Sequence, residues 1–172
     1  MLRQHRKKIV FLCVLTAAFI YVYRFFNPTA DEVMHEFYTR KEVGSLWIDA
    51  PLKCHADTVK MHVIRDITNK DMRYRHYALG FLGDCHIKEA LPTLLAMLFD
   101  PTETDSFRGD VLEAIFLLAP GLAMDLAVQY ADKSDSLGSS AKSIQYGRAP
   151  WPEDDNEGDP DDEYGAYCIR RP

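Results

Sequence analysis

A pattern that returns after about 33 residues constrains this chain more than anything else in it. Arg75, Leu79 and Leu82 are followed by Arg108, Leu112 and Ile115. Each set opens an apolar-striped segment that ends in a small-residue turn, and a second apolar segment follows. A period in this range is the signature of stacked helix pairs, in which one unit cannot bury its apolar face without a neighbour. Such stacks offer extended surfaces and generally bind other macromolecules.

Apolar residues recur at helical spacing through most of the chain after Asn27-Pro28. The spacing predicts a first helix carrying Met34, Phe37 and Tyr38, with Asp31 and Glu32 in its first turn and a stop at Gly44-Ser45. Further helices are expected over 56–67, 72–82, 88–99, 107–118 and 122–131. Leu46-Trp47-Ile48 is too short to classify and reads as an apolar connector. The connectors Gly83–Ile87, Pro101–Ser106 and Pro120-Gly121 are short, and small residues such as Ala78, Gly80, Ala114 and Ala127 let helices approach. No stretch of the body alternates apolar and polar residues over a strand length.

The string R-H-Y-A-L-G-F-L-G from Arg75, followed by E-A-L-P-T-L-L-A-M-L-F-D-P from Glu89, resembles a HEAT repeat of the short bacterial type. The likeness covers 72–100 well and 106–131 more weakly, with Glu113 standing where Gly80 stands one period earlier. Residues 51–68 read as the second helix of a preceding unit. The resemblance implies an α-α solenoid of about 2.5 repeats over 31–132. It also implies a protein partner. Deoxyhypusine hydroxylase, a HEAT-type enzyme, holds iron through repeated His-Glu pairs, but here His76 precedes Tyr77 and His35-Glu36 is the one such pair. Nothing marks the chromophore pocket of the phycobilin lyases, another HEAT-type group.

The N-terminus sets a second expectation. Residues 9–23 form an uncharged apolar run, which extends to 9–26 if Arg24, Phe25 and Phe26 are included. Eighteen helical residues reach roughly 27 Å, near a bilayer core of about 30 Å. Arg3, Arg6, Lys7 and Lys8 precede the run, and Asp31, Glu32 and Glu36 follow it. That asymmetry places 1–8 as a basic cytoplasmic stub, 9–26 as a signal-anchor helix in the lipid bilayer, and the rest outside the cytoplasm. The expectation is a single-pass membrane protein, in the inner membrane if bacterial. A cleaved signal peptide and a buried soluble helix are the competing readings, and the small-residue positions of a cleavage site fit poorly.

Charge divides the chain in the same way. Residues 1–30 carry five bases and no acid, residues 31–132 are net −7, and 133–172 are net −4. An acidic body argues against nucleic acid as a partner, since binding there needs a basic footprint. Residues 133–172 are rich in Ser, Gly, Pro and acids and read as a disordered acidic tail. Glu153–Glu163 holds eight acids, but its spacing fails as a calcium loop because Tyr164 stands at the twelfth position.

Two doublets, Cys54-His55 and Cys85-His86, lie 31 residues apart, close to the period, with His62 and His76 nearby in sequence. Three readings stand: a zinc site lacking the usual Cys-x2-Cys spacing, a disulfide between Cys54 and Cys85, or unlinked residues. No hydrolase, nucleotide-loop or zinc-protease motif occurs in the chain, and no cofactor or small-molecule substrate is implied. Arg73, Tyr74, Arg75, Tyr77 and Arg108 form the candidate binding surface, although arginines at these positions more often pair with acids of a neighbouring unit. The expected function is therefore membrane-anchored, non-catalytic protein binding on the helical surface. The alternatives are a periplasmic immunity or inhibitor protein and, further off, a metal-dependent enzyme using the Cys/His doublets.

Overall fold

The structure, a computed structural model, describes residues 12–23, 27–40 and 48–147. Among the described residues every regular element is helical. Helix α1 covers 12–23, α2 is Ala30–Thr39, α3 Ala50–Cys54, α4 Ala56–Asp66 and α5 Arg75–Asp84. A short 3₁₀ turn, Lys88–Ala90, leads into α6, Leu91–Phe99. Then follow α7, Asp105–Leu118, α8, Pro120–Tyr130, and α9, Ser136–Gln145.

The starts of these helices follow from local chemistry. Thr29 and Glu32 form a reciprocal capping box at α2, with the Thr29 amide donating to the Glu32 carboxylate at 2.7 Å. Thr104 accepts from the Phe107 amide at α7, and Asp135 from the Gly138 amide at α9. Pro51, Pro92 and Pro120 sit in the first turns of α3, α6 and α8, where a missing N–H costs nothing.

Helix α7 lies at the centre of the packing. It touches α5, α6, α8 and α9, while α2, α3 and α4 pack on one another and reach α5. Phe37, Leu52, Ile67, Phe81, Leu98, Ile115 and Ile144 are fully enclosed in one continuous core. Helices α5 and α7 approach closely where Gly83 meets Ala114 and Leu117: a Cβ on Gly83 would lie 2.8 Å from the Leu117 side chain. Of the small residues expected to let helices approach, Ala114 does so here, whereas Gly80 has open space beside it.

Two expectations are corrected. Among the described residues no helix is long and apolar enough to cross a membrane. The described part of the 9–26 run, residues 12–23, is helical. Residues 9–11 and 24–26 of that run lie outside the described residues. The transmembrane fold class and the single-pass localisation are therefore not supported. The second correction concerns the tail. Residues 136–145, read as part of a disordered segment, form α9 against α7 and α8. Leu137, Ala141 and Ile144 are fully buried, and each large apolar side chain so enclosed contributes about 1.5–3 kcal/mol. The acidic stretch 153–163 lies outside the described residues.

Glycines separate the two kinds of helix environment. A Cβ on Gly138 would fall on the backbone carbonyl of Lys133. Gly138→Ala is thus expected to destabilise by about 1–3 kcal/mol or more, because backbone rather than a flexible side chain must move. Gly80→Ala, with nothing within 4 Å, is expected to stabilise by up to about 1 kcal/mol through helix propensity. Denaturant midpoints of the two variants check this; a neutral Gly138→Ala would show that α9 is not seated as described.

Candidate functional site

Two of the arginines that mark the sequence period do the same structural job. The Arg75 Nε donates to the Ile67 carbonyl at 2.7 Å, at the end of α4. The Arg108 Nε donates to the Leu98 carbonyl at 2.7 Å, in the last turn of α6. Each also holds a carboxylate. Arg75 grips Glu103 with both terminal nitrogens, at 2.9 and 2.6 Å, and Arg108 meets Asp105 at 2.9 Å. Each guanidinium lies over an aromatic ring, Arg75 on Phe107 at 3.9 Å and Arg108 on Tyr130 at 5.6 Å. Arg75 is 8% exposed, so its donors are committed within the chain.

Arg73 and Tyr74 serve the junction of α2 and α5. Arg73 donates to the carbonyls of Tyr38 and Arg40, and the Tyr74 hydroxyl donates to the Arg40 carbonyl at 2.7 Å. These carbonyls end α2, where no helical amide remains to satisfy them. Tyr74 adopts φ +59°, a left-handed conformation that costs a tyrosine on the order of 1–3 kcal/mol. The hydroxyl bond, the Arg73 guanidinium 4.5 Å above its ring and edge contacts with Phe37 and Tyr77 offset that strain. Of the five surface candidates, Arg73 is exposed, Tyr74, Tyr77 and Arg108 are half-buried, and Arg75 is buried. The structure therefore does not gather them into one open patch.

The Cys/His doublets are also dispersed. Cys54 ends α3, whereas Cys85 follows α5, so the two do not occupy equivalent ends of paired helices. Cys85 is a free thiol and Cys54 is disulfide-bonded, so they are not joined to each other. Burial pushes the Cys85 thiol up to about 11; nearby Lys53 opposes this, and Asp84 and Asp49 add to it. Lys53 reaches Asp49 at 3.0 Å and Asp84 at 2.8 Å. Burial works against its charge, yet the two carboxylates outweigh that and raise its pKa. Asp49 is itself buried, and there burial prevails over Lys53 and raises the carboxyl. Burial lowers His55, and His86 contacts the Leu117 carbonyl. Among the described residues no group of three or more His, Cys, Asp or Glu side chains is arranged to hold a metal ion.

A polar seam that the sequence reading did not single out runs along α7. His76 of α5 meets Asp110 of α7, Nδ1 to Oδ2 at 2.5 Å. One turn on, Glu113 accepts from the Ser140 hydroxyl of α9 at 2.6 Å. Burial raises the Glu113 carboxyl; the Ser140 bond opposes this and the Asp110 charge adds to it. Beside His76 is a cavity of about 40 Å³ lined by Leu79, Gly80, Asp110, Ala114 and Leu117. Sites for small molecules typically span roughly 300–1,000 Å³. The sequence did offer a signal for the contact: His76 and Asp110 are 34 residues apart, about one period.

Several large apolar side chains remain at the surface of α4, α6 and α8. Met61 of α4 is 59% exposed, Phe99 of α6 53%, and Met124 and Val128 of α8 46% and 67%. Comparison with protein-family models, with curated proteins and with solved structures finds no match to this chain.

The buried Cys85 thiol makes a direct chemical test. At pH 7.5 in the native, unreduced chain, a thiol-alkylating reagent is expected to modify exposed Cys13 at least an order of magnitude faster than Cys85. Denaturation should equalise the rates. Equal native rates, read by peptide mass spectrometry, would contradict the packing of Cys85.

Proposed function

We propose that this chain is a non-catalytic protein-binding module, built as a short HEAT-like stack whose outer helical surface receives a protein partner. The observation that carries the reading is the recurrence of exposed large apolar side chains on three successive second helices, at Met61, Phe99, Met124 and Val128. A single exposed apolar residue is ordinary, but recurrence on consecutive elements is a feature of recognition surfaces. The HEAT-like reading rests on the period: Arg75 and Arg108 perform one task, and contacts between α5 and α7 join residues 34 apart. The polar groups that could serve chemistry are instead spent on joining helices, as in the Arg75–Glu103 fork. The enclosed space between α5 and α7, about 40 Å³, is too small for most metabolites, and the larger depression of about 420 Å³ over Pro92, Thr93, Ala96 and Met97 lies open to solvent.

The full chain, immobilised and used for affinity capture, tests the proposal against the double variant Met124→Asp with Val128→Asp. Both positions are exposed, so the variant is expected to keep its unfolding midpoint. The expected outcome is a protein retained by the parent chain and lost by the variant. Capture of no protein, or of the same proteins by both chains, would overturn the reading.

A further inference from the structure

Helices α5 and α7 are held together in two different ways along their length. At one end Gly83 packs against Ala114 and Leu117 with no room for a side chain, a contact insensitive to solution conditions. At the other end the helices are tied by the bond between His76 Nδ1 and Asp110 Oδ2 at 2.5 Å. The imidazole also stands edge-on to Phe107 of α7, ring centres 5.2 Å apart. Between the two ends lies the small cavity, apolar apart from its rim of His76 and Asp110.

We propose that His76 and Asp110 form a proton-operated clasp over this groove, closed when the imidazole is charged and loosened when it is neutral. The charges around it set the direction. Asp110 is the acid facing His76 from α7, and Arg75 is the base beside it on its own helix. Glu113 lies one turn beyond Asp110, and the two carboxylates disfavour each other. From α3, the ionic contact with α5 is Lys53 on Asp84, at the opposite end of the helix. A charged His76 therefore compensates the Asp110–Glu113 pair, and its deprotonation leaves two carboxylates on one face of α7 with a single hydroxyl, Ser140, in attendance.

The hydrogen bond to Asp110 raises the His76 pKa; partial burial opposes this, the Asp110 charge adds to it, and Arg75 opposes it. Because the folded value lies above the unfolded one, the clasp's contribution is complete below the ordinary histidine range near 6.5. It is lost as pH rises through the folded pKa. The clasp thus works across the pH span in which histidine is the natural sensor. The effect is modest, because His76 is largely exposed and surface pairs are weakened by solvent. It goes beyond the protein-binding proposal and does not depend on it.

Proton NMR titration of the full chain, together with amide hydrogen exchange at pH 5.5 and 8.5 corrected for intrinsic rates, tests the clasp. The His76 midpoint is expected above 6.5, and Asp110→Asn should lower it. Protection in the second turns of α5 and α7 should fall roughly two- to fivefold between the two pH values. His76→Gln, which stays folded because the site is exposed, should abolish that pH dependence while the Gly83 end remains protected. A His76 midpoint at or below 6.5, or the same pH-dependent loss of protection in His76→Gln, would overturn the proposal.

Discussion

The fork between Arg75 and Glu103 is the interaction on which the arrangement of the helices depends most. One guanidinium joins three separate pieces of chain: the carbonyl that ends α4, the helix α5 to which it belongs, and the turn between α6 and α7. Both partners are withdrawn from solvent, with side chains 9% and 6% exposed. Taking two charges into such a site is costly, and the cost is offset only when geometry is good and the remaining donors are used. Here the fork is bidentate, the Nε is committed to a carbonyl, and the Phe107 ring covers the guanidinium face. A lysine could supply the charge but not the fork.

Around this node the helices pack in two groups that meet at α5. The α2–α4 group reaches α5, α5 lies against α7, and α7 carries α6, α8 and α9. Polar ties between helices add to the one apolar core that they share. Arg108 repeats the Arg75 arrangement one period later, with a looser, half-exposed carboxylate in Asp105. The His76–Asp110 and Glu113–Ser140 contacts continue the seam onto α9. Apolar side chains of α4, α6 and α8 remain without cover, and it is this surface that the proposed protein partner would occupy.

Much of this was legible because it is local or periodic. The helices over 56–67, 107–118 and 122–131 lie within a few residues of α4, α7 and α8, since apolar spacing, prolines and caps act within a turn or two. The equivalence of Arg75 and Arg108 was visible as a period. What was not legible depends on three-dimensional reach. Of the acids near the arginines in sequence, Asp105 does pair with Arg108, but Glu103 rather than Asp71 captures Arg75, and Asp110 turns to His76. Helix α9 was hidden by its serines, although the Asp135 cap and the spacing of Leu137, Ala141 and Ile144 carry the helical signal. The apolar run at 9–26 misled in the other direction: hydropathy suggested a span, whereas among the described residues no helix is long and apolar enough to cross a membrane. The five-residue α3 was too short to register as a period at all, and with it went the expected equivalence of Cys54 and Cys85.

The most direct measurement of the central node is a double-mutant cycle on stability with Arg75→Lys and Glu103→Gln, read by chemical denaturation of the full chain. Each change keeps size and removes the fork from one side. If the fork joins α4, α5 and the α6–α7 turn as described, the two losses should overlap, with an interaction energy of about 1–3 kcal/mol. Losses that add to within about 0.5 kcal/mol would mean that the two side chains act independently, and would contradict the structure at the point where its helices are tied together.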